Sequence, residues 1–180
     1  AAVAVTDDLV ATAGDDGLVV SGTAQHVLAG ATADLLVLGA DGTWFVVEAA
    51  SVSVEPGQGT DPTRRPATVT LDRLAVPAAR VLTGTTTAQV HALVGVVAAA
   101  EATGIAGWCL DTAVAYANTR EQFGRLIGGF QAVKHSCADM LVRVEQARAL
   151  VWDAARALDE APSPARDLAE AAAIAFALDA

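Results

Sequence analysis

The sequence predicts an α+β chain: an antiparallel β-barrel or sandwich over residues 1–83, followed by an antiparallel helical bundle over residues 84–180. Three observations carry that prediction. Short apolar or alternating runs fill the first half, Gly- and Asp-containing turns separate them, and after Thr83 the apolar period lengthens from two residues to three or four.

In chain order, LVVSG, HVLAG, DLLVLGA, TWFVVE, SVSVE, ATVTLD and LAVP read as strands. Gly14-Asp15-Asp16-Gly17 and Gly39-Ala40-Asp41-Gly42 sit between them as hairpin loops. Pro62, Pro66 and Pro77 fall in loops or at strand starts, where a missing N–H does no harm. Sequential short strands without intervening helices favour a barrel or sandwich over a parallel sheet.

Beyond Thr83, Val90, Val94, Val97, Glu101, Ile105, Trp108 and Thr112 recur at helical spacing and predict one long amphipathic helix. Phe130, Val133, Cys137, Met140, Val144, Ala147, Val151, Ala154 and Leu158 predict a second. Gly124, Gly128 and Gly129 interrupt the pattern between them, Pro162 with Pro164 closes the second helix, and a third begins near Ala165. The start lacks an initiator Met and a signal peptide, and the end lacks a C-terminal cap signal, so the chain reads as part of a longer protein.

Composition excludes some functions. A net charge of −10 with scattered cations opposes nucleic-acid binding. The apolar runs are interrupted before the roughly 20 residues of a membrane span, so none is expected. Cys109 and Cys137 fit no metal spacing and read as reduced, partly buried thiols of a cytoplasmic protein. Preference for Arg over Lys, with abundant Ala and Val, suggests a GC-rich bacterial source.

Functional residue types concentrate in YANTREQFGRLIGGFQAVKHSCADM, Tyr116 to Met140. Arg120 falls at a helix C-terminus, where the macrodipole favours a cation by roughly 0.3–1 kcal/mol. Gln122 and Gln131 flank a glycine-containing turn that Phe123 and Phe130 would pin against the helices. From residue chemistry alone the corner either packs, or grips a phosphate through the Arg fork and a heteroaromatic edge through the amides.

This stretch resembles the helix–loop–helix signature of the acyl-CoA dehydrogenases, YAxxRxQFGxxIxxFQAVKHxxADM. DGLVVSGTAQHVLAGATADLLVLGA resembles that family's middle β-domain, and TRRPATVTLDRLAVPAARVL resembles the strand pair leading into its C-terminal helical domain. The resemblance spans essentially the whole chain. It implies FAD bound between subunits of a homo- or hetero-oligomer, an acyl-CoA substrate undergoing α,β-dehydrogenation, and an electron-transfer flavoprotein as acceptor. Arg120 is then expected at the flavin pyrophosphate, Gln122 and Phe123 along the same cofactor, and Gln131 at its adenosine portion.

Several positions depart from that pattern. The base of most members lies beyond the end of this chain, and a minority carry it at the position matching Val94, which cannot abstract a proton. Glu101 is the one carboxylate on the predicted apolar stripe of the first helix, either a base with a burial-raised pKa or a packing carboxylate. Where relatives offer an aromatic residue and then Thr or Ser to the flavin ring, the chain has His26 and Leu28. His26 can stack; Leu28 cannot donate a side-chain hydrogen bond. HALVG, with His91 its one polar residue, replaces a segment that carries an acid and an Arg in relatives. Two readings stay open: a catalytic chain with unusual ring contacts, or a non-catalytic subunit lending its corner to a catalytic partner.

Overall fold

A computed structural model describes residues 1–5 and 8–180. They form two compact units, Ala1–His91 and Ala92–Ala180.

Among the described residues the first unit holds seven strands: β1 Ala2–Ala4, β2 Leu9–Gly14, β3 Gly17–Val27, β4 Leu35–Ala40, β5 Thr43–Glu48, β6 Ser53–Pro56 and β7 Ala67–Pro77. They form two sheets, ordered β1-β4-β5 and β2-β3-β7-β6. Both predicted hairpins are present, with Gly14 opposite Gly17 and Ala40 opposite Thr43. The second turns through Asp41 and Gly42 at φ 49° and 78°, the left-handed pair of a type I′ turn. Asp41 Oδ2 also accepts from the Ala11 N–H at 2.9 Å, linking this turn to the other sheet.

The sequence reading did not name β1 and β2 as strands, and three further details differ from it. β1 pairs parallel to β4, so the unit is not purely antiparallel. ATVTLD and LAVP are one continuous strand, β7, and Pro77 ends it rather than beginning one. HVLAG is not a separate strand: His26 and Val27 finish β3, which also contains LVVSG.

The two sheets share one core of Leu9, Val20, Val27, Leu36, Leu38, Phe45, Val69, Leu71 and Val76, all essentially excluded from solvent. Alternation carries Ala67, Val69 and Leu71 inward along β7. An irregularity in the β3–β7 register, with Arg73 at φ 47°, then shifts the inward parity to Val76. Gly22 at φ 134° lies against the Asp8 carbonyl with no room for a Cβ.

The helices are α1 Thr87–Ala117, α2 Gln131–Ala157 and α3 Pro164–Asp179. Between α1 and α2 lies a small hairpin, β8 Glu121–Gln122 and β9 Arg125–Leu126. The core of the second unit joins Val96 and Ala99 of α1, Val151 and Ala154 of α2, and Ala173 and Ala177 of α3. Gly95 makes room for the Ile174 side chain, since a Cβ there would stand 2.7 Å from Ile174 Cδ1. The predicted α2 stripe is buried from Val144 through Ala154 and half-buried from Phe130 to Met140.

The predicted α1 stripe is not the buried one. Val94, Val97, Ile105 and Trp108 are exposed, and Ala92, Val96, Ala99, Thr103 and Leu110 are buried in their place. Apolar residues surround this helix, so period alone does not choose its inner face; small residues, which let helices approach closely, choose it. Thr103 is accommodated by donating its hydroxyl to the Ala99 carbonyl at 2.8 Å.

α1 is also long and apolar enough, by length and composition, to cross a membrane, contrary to the sequence expectation. Gly, Thr and Ala break the look of an apolar run without adding charge, and the charged residues of α1 are Glu101 and Asp111.

Pro164 does not close α2, which stops at Ala157; it occupies the first turn of α3 behind a Ser163 cap whose Oγ accepts from Arg166 N at 3.3 Å. Arg166 is only 8% exposed. Its Nε donates to Glu170 Oε1 at 2.9 Å and its Nη1 to the Glu160 carbonyl at 3.0 Å, tying the loop after α2 to α3. Cys109 and Cys137 are free thiols, Cys137 half-buried and Cys109 exposed rather than partly buried, because it lies away from the inner face of α1.

Candidate functional site

The corner between α1 and α2 is built by helix-end chemistry. The last α1 carbonyls are taken up locally: Asn118 Nδ2 donates to Val114 O at 3.0 Å, Thr119 Oγ1 to Tyr116 O at 3.1 Å, and Arg120 N to Tyr116 O at 2.9 Å. Ile127 N then donates to Arg120 O at 2.8 Å. Gly128 packs so closely that a Cβ would stand 2.9 Å from the Ala117 carbonyl oxygen. Arg120 is thereby held beside the negative end of α1.

The hairpin pairs Gln122 with Arg125 and turns through Phe123 and Gly124 at φ 51° and 73°. This is again type I′ geometry, which favours Asn or Gly, and an aromatic residue in its first central position is a strained choice. Phe123 is 92% exposed, so it does not pin the turn against the helices as the sequence suggested. The half-buried Phe130 meets it edge to face, with ring centroids 6.1 Å apart at 88°. The Arg125 guanidinium lies 3.9 Å from the centroid of the Phe130 ring.

Gln131 opens α2, exposed, with Phe130 at the cap position and no side-chain cap bond. The positive end of α2 therefore faces the same corner as the cations. Gln122 folds its Nε2 onto the Glu121 carbonyl at 2.8 Å.

Charge pairing separates this corner from the rest of the helical unit. Arg143, Arg148, Arg156 and Arg166 each bind a carboxylate, on Asp179, Glu145, Asp153 with Glu160, and Glu170, at 2.7–3.0 Å. Among the described residues, Arg120, Arg125 and Lys134 bind none, and all three stand at the corner. Arg125 and Lys134 were not singled out from the sequence. Their signal was available there: cations gathered within Arg120–Lys134 of a chain whose net charge is −10.

Arg120, Gln122, Phe123 and Gln131 are thus brought together, whereas His26 belongs to the other unit. His26 is exposed at φ 55°, at an irregularity in the β3 register between Ala24 and Val27. Leu28 follows, 58% exposed. Glu101 is exposed rather than buried, because the inner face of α1 is not the stripe it occupies. Among the described residues no cluster of His, Cys, Asp or Glu could hold a metal ion.

The chemistry of the corner suits an extended anion with polar and aromatic parts: guanidinium and ammonium for phosphate oxygens, a carboxamide for sugar or base, and an exposed ring for an apolar face. Comparison with known proteins converges on one family. The model of the acyl-CoA dehydrogenase C-terminal domain matches residues 94–177. Acyl-CoA dehydrogenase FadE34 of Mycobacterium tuberculosis is 45% identical over 163 residues, 89% of this chain and 22% of that protein.

Among solved structures, butyryl-CoA dehydrogenase from Megasphaera elsdenii superposes with a TM-score of 0.84 at 27% identity, covering 99% of this chain and 54% of that one. A chain of the ChsE4–ChsE5 complex from Mycobacterium tuberculosis does so at 0.85 and 28% identity, covering 98% and 51%. The chain therefore spans about half the length of these solved relatives, and both its sheets and its helices follow theirs. Sequence signature, family match and fold agree: the chain belongs to the acyl-CoA dehydrogenase family.

Proposed function

We propose that the full protein is an FAD-dependent acyl-CoA dehydrogenase that introduces an α,β double bond into an acyl-CoA thioester, with FAD at a subunit interface. Residues 1–83 would be part of its middle β-domain and residues 84–180 part of its C-terminal helical domain. The observation that carries this reading is the clustering of Arg120, Arg125 and Lys134, without carboxylate partners, at the uncapped start of α2. Arg120 and Lys134 without a carboxylate in an acidic chain, beside an Arg125 stacked on Phe130, are best accounted for by an anionic ligand.

In this reading Arg120 holds the diphosphate of the cofactor through charge-assisted bonds. Gln131 and Gln122 offer amide groups to the adenosine end, and Phe123 covers an apolar stretch. The donor set fits the cofactor's tail. Flavin, when bound, supplies the acceptor for the hydride leaving the β carbon. On the ring side the chain offers His26 for stacking and nothing polar at Leu28. Proton removal at the α carbon needs a carboxylate near the acyl group; Val94 cannot provide one, and Glu101 is exposed on α1.

A second reading follows from those same residues: a non-catalytic chain or region lending its corner to a catalytic partner of the same family. It accounts for both the intact corner and the apolar Leu28 and Val94. Either reading covers the exposed apolar faces of α1 with protein in an oligomer rather than with lipid. Electrons would pass to an electron-transfer flavoprotein, and a bacterial cytoplasm is the proposed location.

The test is the spectrum of the purified full protein. Bound flavin that bleaches when acyl-CoA is added supports catalysis; bound flavin that bleaches only with a second family subunit supports the lending role. Absence of flavin in both preparations would sink both. Arg120→Ala is expected to loosen the cofactor, and unchanged retention would remove the diphosphate role.

A further inference from the structure

Phe123 sits where its backbone is strained and its ring is almost wholly in water, and neither favours the hairpin on its own. What holds it is a stack of three groups. Arg125 is paired in register with Gln122, and its guanidinium lies 3.9 Å from the centroid of Phe130. Phe130 in turn presents its ring to Phe123 at 88° and 6.1 Å. The Arg125 stem passes beside Gly129, with Cδ 3.7 Å from the place a Cβ would occupy, an ordinary van der Waals distance. Phe130 is also the cap residue of α2, so the stack joins the hairpin tip to the helix end.

We propose that Arg125 is a positioning residue of the corner. It acts through Phe130 to hold the Phe123–Gly124 tip, and with it Arg120, toward the cofactor, instead of binding the diphosphate itself. The cation–π contact occupies the face of its guanidinium and fixes its direction, whereas Arg120 has no such partner. This inference rests on the flavin reading above and adds a division of labour between two arginines five positions apart in one loop.

The experiment measures flavin release from the full, flavin-loaded protein as a function of salt for Arg120→Ala, Arg125→Gln, Arg125→Lys, Phe130→Leu and the double variant Arg125→Gln/Phe130→Leu. Losing the stack should speed release about two- to fivefold, the scale of an exposed cation–π contact. Arg125→Gln and Phe130→Leu should match, the double variant should be no worse than the poorer single one, and Lys at 125 should restore most retention. The salt slope should stay as in the parent for Arg125→Gln and flatten for Arg120→Ala, because only the latter removes a charge that meets the phosphates.

A flattened slope for Arg125→Gln together with normal retention in Phe130→Leu would make Arg125 a direct ligand and overturn the proposal. If Arg120→Ala releases flavin while neither Arg125→Gln nor Phe130→Leu does, the positioning role alone falls. If Arg120→Ala changes nothing, the flavin reading falls and takes this role with it. Should Arg125→Gln not fold, the comparison of Arg125→Lys with Phe130→Leu decides between the same outcomes.

Discussion

The two units bury their apolar residues in opposite ways. In the β-unit the large side chains are inside: Phe45, Leu9, Leu36 and Leu38 are fully buried. In the helical unit the inside is built largely of alanine, at 92, 99, 147, 154, 157, 173 and 177. Its large apolar residues stand outside, with Trp108 68% and Trp152 73% exposed. Small residues let helices approach closely and give tight contacts over little area. The β-unit therefore keeps its large apolar residues inside, and the helical unit leaves apolar surface exposed of the kind that marks an interaction site.

The largest expected effect probes the β core. Phe45→Ala should cost about 3–5 kcal/mol, read as a shift in the urea midpoint, because it empties the middle of two packed sheets. Trp152→Ala in the same assay should move the monomer's midpoint by no more than about 0.5 kcal/mol, while weakening self- or partner association measured by sedimentation. A large loss of monomer stability from Trp152→Ala would break the contrast between the units.

A smaller effect tests polar ties within the helical unit. Glu170→Ala leaves Arg166 short of its carboxylate in a nearly buried site and should cost about 2 kcal/mol. Arg156→Ala breaks two pairs on an exposed surface, where the arginine is 69% accessible, and should change stability far less. Thermal unfolding of both variants side by side measures the difference, and equal losses would contradict the burial argument.

The last expected change is small and of opposite sign. Phe123→Asn suits the left-handed turn position and should stabilise the protein by a few tenths of a kcal/mol to about 1 kcal/mol. In the full protein it should at the same time lower flavin retention. Improved stability with undiminished retention would leave the strained phenylalanine without a role in binding.

Legibility in the sequence followed the strength of the local pattern. The hairpins at Gly14–Gly17 and Gly39–Gly42 and the α2 stripe could be read because turn residues and charged outer positions bracket the apolar ones. The inner face of α1 could not, since apolar residues surround that helix and close packing, not hydrophobicity, selects Ala92, Val96 and Ala99. The parallel pairing of β1 with β4 joins Ala2 to Leu36, a contact no local period records. At the corner, the signature located Arg120, Gln122, Phe123 and Gln131. The exposure of Phe123 and the stacking of Arg125 on Phe130 depend on turn dihedrals and on side-chain direction, which composition and spacing do not carry.

The helix-end bonds of Asn118, Thr119 and Arg120, with Gly128 seated against the Ala117 carbonyl, also bear on the kinetics of assembly. A loop tied this way at both ends is already shaped before the proposed cofactor arrives. In the proposed flavin site association would need no slow ordering step, and the positive corner would draw the anion in. Encounter should therefore quicken as ionic strength falls, even though the chain as a whole repels anions.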